Sequence, residues 1–278
     1  MLSSALLFGL LHLSGCAGDA PVEPPKPVAA EPAGPPKLDL AALAAAAENV
    51  ALVPSPAEMQ RALEKHGIAT GLSSLVVERA LKMDIENKDV IAVRTGVALA
   101  DAVLTVKDAP HEKLTARLNT VKAGMAALGG GSDIGTTIDD INARVVNGSV
   151  SRGDLVKELD EMHGAIIPEI RFEAGERAVP LVQAGSWLEG SNLVASAILA
   201  SNSPAAAAAG TDLLRQPQVA DYFMRYVATE GEGKAPDAVL KQLQATLTML
   251  KAIASKPALT IEDVKEIKTQ TDAVLALL

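Results

Sequence analysis

VIAVRTGVALADAVLTV, residues 90–106, is the stretch that decides the fold. By hydropathy it approaches the roughly 20 apolar residues that a membrane-spanning helix needs. Arg94 and Asp101 interrupt it. They stand seven apart, so in a helix they share one face two turns from each other. The stretch therefore reads as a helix of a packed bundle, with a polar side turned toward a neighbour. A second stretch, QAGSWLEGSN at 183–192, has the same mixed character. Gly96, Ala98, Gly185 and Gly190 are small enough for two helix backbones to approach closely. Glycine inside a helix costs ~1 kcal/mol against alanine, so four such small positions point to packing. Arg94 is expected to pair with Glu189 or Asp101 inside the bundle. Two readings follow: a polar pocket floored by Trp187, or, more plainly, an internal ion network that fixes how the helices pack.

Working outward, the pattern is helical from residue 38 onward, rich in Ala, Leu, Lys and Glu. Ser55-Pro56-Ala57-Glu58 combines a capping box with proline at the first helical position. Ser151 to Asp154 and Thr260 to Asp263 repeat the capping pattern with Asp in the third place. Gly67 and Gly129-Gly130-Gly131 are stop signals. Helices are expected at 38–50, 56–66, 72–84, 87–107, 111–128, 133–146, 152–165, 175–201, 205–214, 217–229, 236–255 and 261–278. Pro180 is expected to split or kink the longest of them. Leu240, Leu243, Leu247, Leu250 and Ile253 recur every three or four residues and predict one buried stripe. Ile261, Val264, Ile267, Val274 and Leu277 predict another. Period-two alternation is hard to find, so the expected fold class is all-α, a multi-helix bundle spanning 38–278.

The first 15 residues carry no Asp, Glu, Lys or Arg, and Leu6 to Leu13 form a short apolar run interrupted by Gly9 and His12. This is the length of a signal-peptide core and far short of a membrane span. Leu13-Ser14-Gly15-Cys16 follows, with small residues before the chain's single cysteine. The four residues resemble the lipobox of bacterial lipoproteins. The resemblance covers the first 16 residues alone. It implies cleavage before Cys16, lipid on its sulfur and its new amino group, and a firm membrane anchor. It also implies a cell-envelope location facing the periplasm or the cell surface. Ala17 and Asp19 favour the outer membrane under the sorting preference of that class. Residues 17–37 contain seven prolines. Such a stretch favours extended polyproline II at ~3.1 Å per residue and reads as a tether for the helical domain.

The formal net charge is −9, and no basic stripe appears. That argues against a nucleic-acid partner, which would need clustered Lys and Arg. One cysteine cannot form an internal disulfide or a thiolate metal site. Aromatic residues beyond the N-terminal segment are Phe172, Trp187, Tyr222, Phe223 and Tyr226. DYFMRY at 221–226 puts Tyr222 and Tyr226 one turn apart beside Arg225, and Trp187 and Phe172 are expected to join them in space. The plain reading is large filler for a core; the functional one is a binding surface or pocket.

Three short motifs resolve to structure. In DEMH, Asp160 and His163 have the i, i+3 spacing used by carboxylate-bridged metal bundles, but no second motif accompanies them. GGSDIGTT at 130–137 approaches a phosphate loop but has Thr136 where lysine belongs and no preceding strand. Arg152-Gly153-Asp154 overlaps a helix start, where Asp154 suits the dipole. No catalytic constellation, cofactor or metal site reads out. The leading expectation is a membrane-anchored lipoprotein, held by lipid on Cys16, that binds or scaffolds another cell-envelope protein. The alternative is a small-molecule or lipid-binding bundle with a pocket near Trp187. The candidate residues are Trp187, Tyr222, Tyr226, Arg94, Asp101 and Glu189.

Overall fold

The computed structural model describes residues 53–68, 71–130, 132–201, 203, 205–231, 234 and 237–278. All fall within the unit Ala44–Leu278. Cys16, the proline-rich stretch and the expected helix at 38–50 lie outside the described residues. Among those described, eleven helices and no strand form. They are α1 (Pro56–Lys65), α2 (Leu72–Leu75), α3 (Lys88–Thr105), α4 (His111–Leu128), α5 (Ser132–Val146), α6 (Arg152–Ala174), α7 (Ala178–Ala200), α8 (Ala206–Leu214), α9 (Pro217–Glu230), α10 (Asp237–Ala254) and α11 (Ile261–Leu275). None of the described helices is long and apolar enough to cross a membrane.

The caps form as the sequence dictates. Ser55 Oγ accepts from the Glu58 amide at 3.2 Å, and Glu58 accepts from the Ser55 amide at 2.7 Å. Thr260 and Asp263 close the same reciprocal box on α11. Ser151 Oγ accepts from the Asp154 amide at 3.1 Å, so the Arg-Gly-Asp tripeptide is a helix start. Each such cap is worth about 1 kcal/mol. Gly129 ends α4 at φ +99°, a left-handed conformation that favours glycine.

Three features differ from expectation. The helix expected at 72–84 stops after Leu75, where Val76 turns extended. The following segment runs irregularly to Asn87, and Arg79 from it reaches a buried carboxylate on α7. A long-range ion pair thus overrides local helix preference. The helix expected at 152–165 continues to Ala174 and passes through Pro168. That proline removes one backbone bond, while buried Ile166 and Ile170 on either side keep the helix on the core. Pro180 does not split α7: it sits in the first turn, where no intrahelical amide bond is lost.

Two parallel helices occupy the centre. A Cβ added at Gly96 on α3 would collide with the Val182 carbonyl, and one added at Gly185 on α7 would collide with the Val93 carbonyl. Each valine precedes its own glycine by three residues, so the contact is reciprocal. Asp89 and Arg177 meet before this crossing, Asp101 and Glu189 after it, and Leu104 lies near Gly190 beyond them. The two helices therefore run in the same direction.

One core lies among α3, α4, α5 and α6, with Leu99, Leu118, Ile138, Leu159 and Ile166 buried. The other lies among α1, α7, α8, α9, α10 and α11, with Leu63, Leu193, Val219, Phe223 and Ile267 buried. Each side chain of this size contributes about 1.5–3 kcal/mol on burial. Packed on both sides, α7 is covered nearly all round, and its polar groups must find partners inside. Asn192 does so by donating to Thr271 Oγ1 at 3.0 Å and Asp272 Oδ1 at 2.7 Å.

Candidate functional site

The α10 stripe divides in two. Leu250 and Ile253 are buried in the core. Leu240, Leu243 and the buried Leu247, earlier on the same stripe, line a cavity of about 400 Å³. That size lies within the ~300–1,000 Å³ of small-molecule sites. The opposite walls come from Val90 and Val93 of α3, and from Leu181, Ala184, Trp187 and Leu188 of α7. Phe223 and Val227 of α9 and Val274 of α11 complete them, with Leu277 just beyond.

Aromatic rings set the floor. Trp187 and Phe223 pack with rings tilted by 35° and centroids 5.4 Å apart, and Tyr222 packs edge-on to Phe223 at 5.1 Å. The Trp187 indole donates to Gln216 Oε1 at 3.0 Å, which satisfies its only polar atom. The ring face is thereby fixed as apolar wall.

All four charged residues of the lining gather at one end. Arg177, just before α7, grips Asp89 with Nε at 3.2 Å and Nη2 at 2.6 Å. Its Nη1 donates to Glu230 at 2.8 Å. Tyr226 donates from its hydroxyl to the Arg177 carbonyl at 3.0 Å. Burial pushes the Tyr226 phenol up to about 12, so it stays protonated as a donor. Lys234 is the fourth charged residue, and among the described residues it makes no ion pair.

A second constellation sits between α3 and α7. Glu189 is fully buried and accepts from Arg79 Nη1 at 2.7 Å. Asp101, also buried, lies within hydrogen-bonding reach of Glu189. Burial first, and the Glu189 charge second, hold the Asp101 carboxyl well above its ordinary value. Burial likewise raises Glu189, against the pull of Arg79. Asp101 Oδ1 and Glu189 Oε1 have no partner while both groups are ionised. A proton on Asp101 supplies the missing donor. Buried Arg117 stands nearby, donating to Thr105 Oγ1 at 2.6 Å and Ser73 Oγ at 3.2 Å.

The candidate residues therefore separate. Trp187 and Tyr226 line the cavity. Tyr222 stands behind Phe223, outside the lining. Asp101 and Glu189 meet each other, but Arg94 joins neither. Its guanidinium donates to the Leu278 and Lys82 carbonyls instead, the second at 2.6 Å. From α3 it points away from the pair, toward the C-terminal turn that closes the cavity wall. Phe172 does not join the aromatic cluster: it is 85% exposed on α6. Asp160 of DEMH pairs with Arg61 at 3.0 Å. The Arg79 and Arg117 partners carry no motif, and nothing short of the fold brings them to Glu189 and Asp101.

Family models, curated proteins and solved structures offer no match to this chain. Its reading rests on its own residues.

Proposed function

We propose that this chain is a lipid-anchored protein of the bacterial cell envelope whose helical domain holds an apolar small molecule or lipid chain. The single observation that carries the ligand reading is the apolar cavity between α7, α9 and α10, with its charges gathered at one end. Apolar walls favour transfer of a hydrocarbon out of water by about 25 cal/mol per Å² buried. A few polar groups at one end fix orientation. The anchor rests on the likeness of Leu13 to Cys16 to the lipobox. Docking of a protein partner draws less support. Among the described residues the large exposed apolar side chains are Val77, Val146, Phe172, Met249 and Leu277, which come from five separate segments of the chain.

Trp187, the chain's single tryptophan, is a built-in reporter on the cavity wall. A rod-shaped neutral dye, diphenylhexatriene, is expected to quench Trp187 emission by energy transfer and saturate at one dye per chain. Ala184→Phe, which places a ring inside the cavity, is expected to reduce that binding at least tenfold while leaving the helical signal intact. Equal dye binding by parent and variant would remove the cavity as the site.

A further inference from the structure

We infer that the ligand of this cavity is a single-chain amphiphile with an anionic head, its tail against Trp187 and Phe223 and its head at Lys234. The inference rests on the ligand-binding reading above and adds to it a head-group chemistry and an orientation.

The lining holds four charged side chains, and three of them form one closed set: Arg177 between Asp89 and Glu230. Tyr226 ties the Arg177 carbonyl to α9, and Asn87 caps α3 next to Asp89 through the Asp89 and Val90 amides. These polar groups therefore occupy a single end. The far end holds the tilted Trp187–Phe223 pair with buried Leu247 and Val274, and no charged side chain among the described lining residues. A wholly apolar ligand would leave the charged end unanswered. A compact polar ligand would leave the hydrocarbon walls facing water. An amphiphile about one chain wide satisfies both.

The sign follows from pairing. The N-termini of α3 and α7 and the C-terminus of α9 meet at the charged end, so their helix dipoles oppose one another and the side chains decide. Both rim carboxylates are already held by the Arg177 guanidinium, Asp89 through two nitrogens. Lys234 alone among the charged lining residues lacks an ion pair within the described residues, and it is exposed. A carboxylate or phosphate head completes that pair without breaking any contact already made. A cationic head would have to compete with Arg177 for its two carboxylates.

The test displaces diphenylhexatriene with three ligands that share one tail: dodecanoate, dodecanol and dodecylammonium, each below its micellar concentration. Dodecanoate is expected to displace the dye at about fivefold lower concentration than dodecanol, the scale of one exposed ion pair. Lys234→Gln is expected to erase that preference and leave dodecanol unchanged. Raising salt from 0.05 to 0.5 M is expected to shrink the preference in the parent alone, because exposed charges are screened. Equal displacement by dodecanoate and dodecanol, or tighter binding of dodecylammonium, would overturn the anionic head while leaving the cavity reading in place. Failure of all three to displace bound dye would overturn both.

Discussion

The fold favours the protonated form of the Asp101 carboxyl, whose proton the unfolded chain releases near pH 4. Burial and the Glu189 charge raise the folded value, so the folded chain keeps that proton to higher pH. The stability tied to Asp101 is full below about pH 4 and falls as pH rises toward the folded value. Glu189, raised by burial, works in the same direction. Glu158 and Asp263 work oppositely. Hydrogen bonds from Arg144 and Lys256 hold them low. Their contribution is present above the unfolded value and lost as pH falls through the folded one. Asp101→Asn keeps a donor for Glu189 and carries no proton to lose. Relative to the parent, its denaturant midpoint is expected to rise between pH 5 and pH 8. A difference that stays flat or reverses over that range would show that Asp101 is not the proton carrier. At this scale the sequence was half legible. The spacing of Arg94 and Asp101 announced a polar helix side, but Arg94 turns toward Leu278 and Lys82 instead. Arg79, 110 residues from Glu189, supplies the charge. Local pattern carries no signal for a pairing of that sequence separation.

Among the elements, the reciprocal crossing at Gly96 and Gly185 fixes how close α3 and α7 come. Gly185→Ala would press a methyl group into the Val93 carbonyl, and backbone cannot yield as a flexible side chain can. A loss of about 3 kcal/mol or more is expected, at the upper end of overpacking. Gly164→Ala on α6 is the control. No atom lies within 4 Å of its would-be Cβ, so it is expected to gain up to ~1 kcal/mol from helix propensity. Urea unfolding of both variants checks the pair, and similar effects in the two would dissolve the special role of the crossing. Helices were the most legible level of this chain. Capping residues at 55, 151 and 260 and stop glycines at 67 and 129 place their ends within a residue or two. The segment 76–87 misled because Glu78, Arg79, Ala80 and Leu81 are good helix formers. They are drawn out by the buried Glu189 on one side and by the Lys113 contact to Glu78 at 2.8 Å on the other. Periodicity also cannot tell Leu240, Leu243 and Leu247 from Leu250. All four read as core, and only the placement of α9 and α7 turns the first three, Leu240, Leu243 and Leu247, onto a cavity.

For the whole molecule, two cores flank the α3–α7 pair, and the cavity opens on the side of the one built from α1 and α7 to α11. The α3–α6 side is the frame: it positions Asp89, Val90 and Val93 and leaves them facing the ligand space. On this account a ligand stabilises the fold by mass action, ~2.7 kcal/mol at a hundred times its dissociation constant. The most direct measurement is native mass spectrometry of the full chain drawn gently from its own membranes, parent beside Ala184→Phe. The account predicts a lipidated Cys16 and, on the parent alone, one further bound mass of a single-chain anionic amphiphile. An intact N-terminus with no lipid on Cys16, or a parent carrying no more bound mass than the cavity-filled variant, would contradict it.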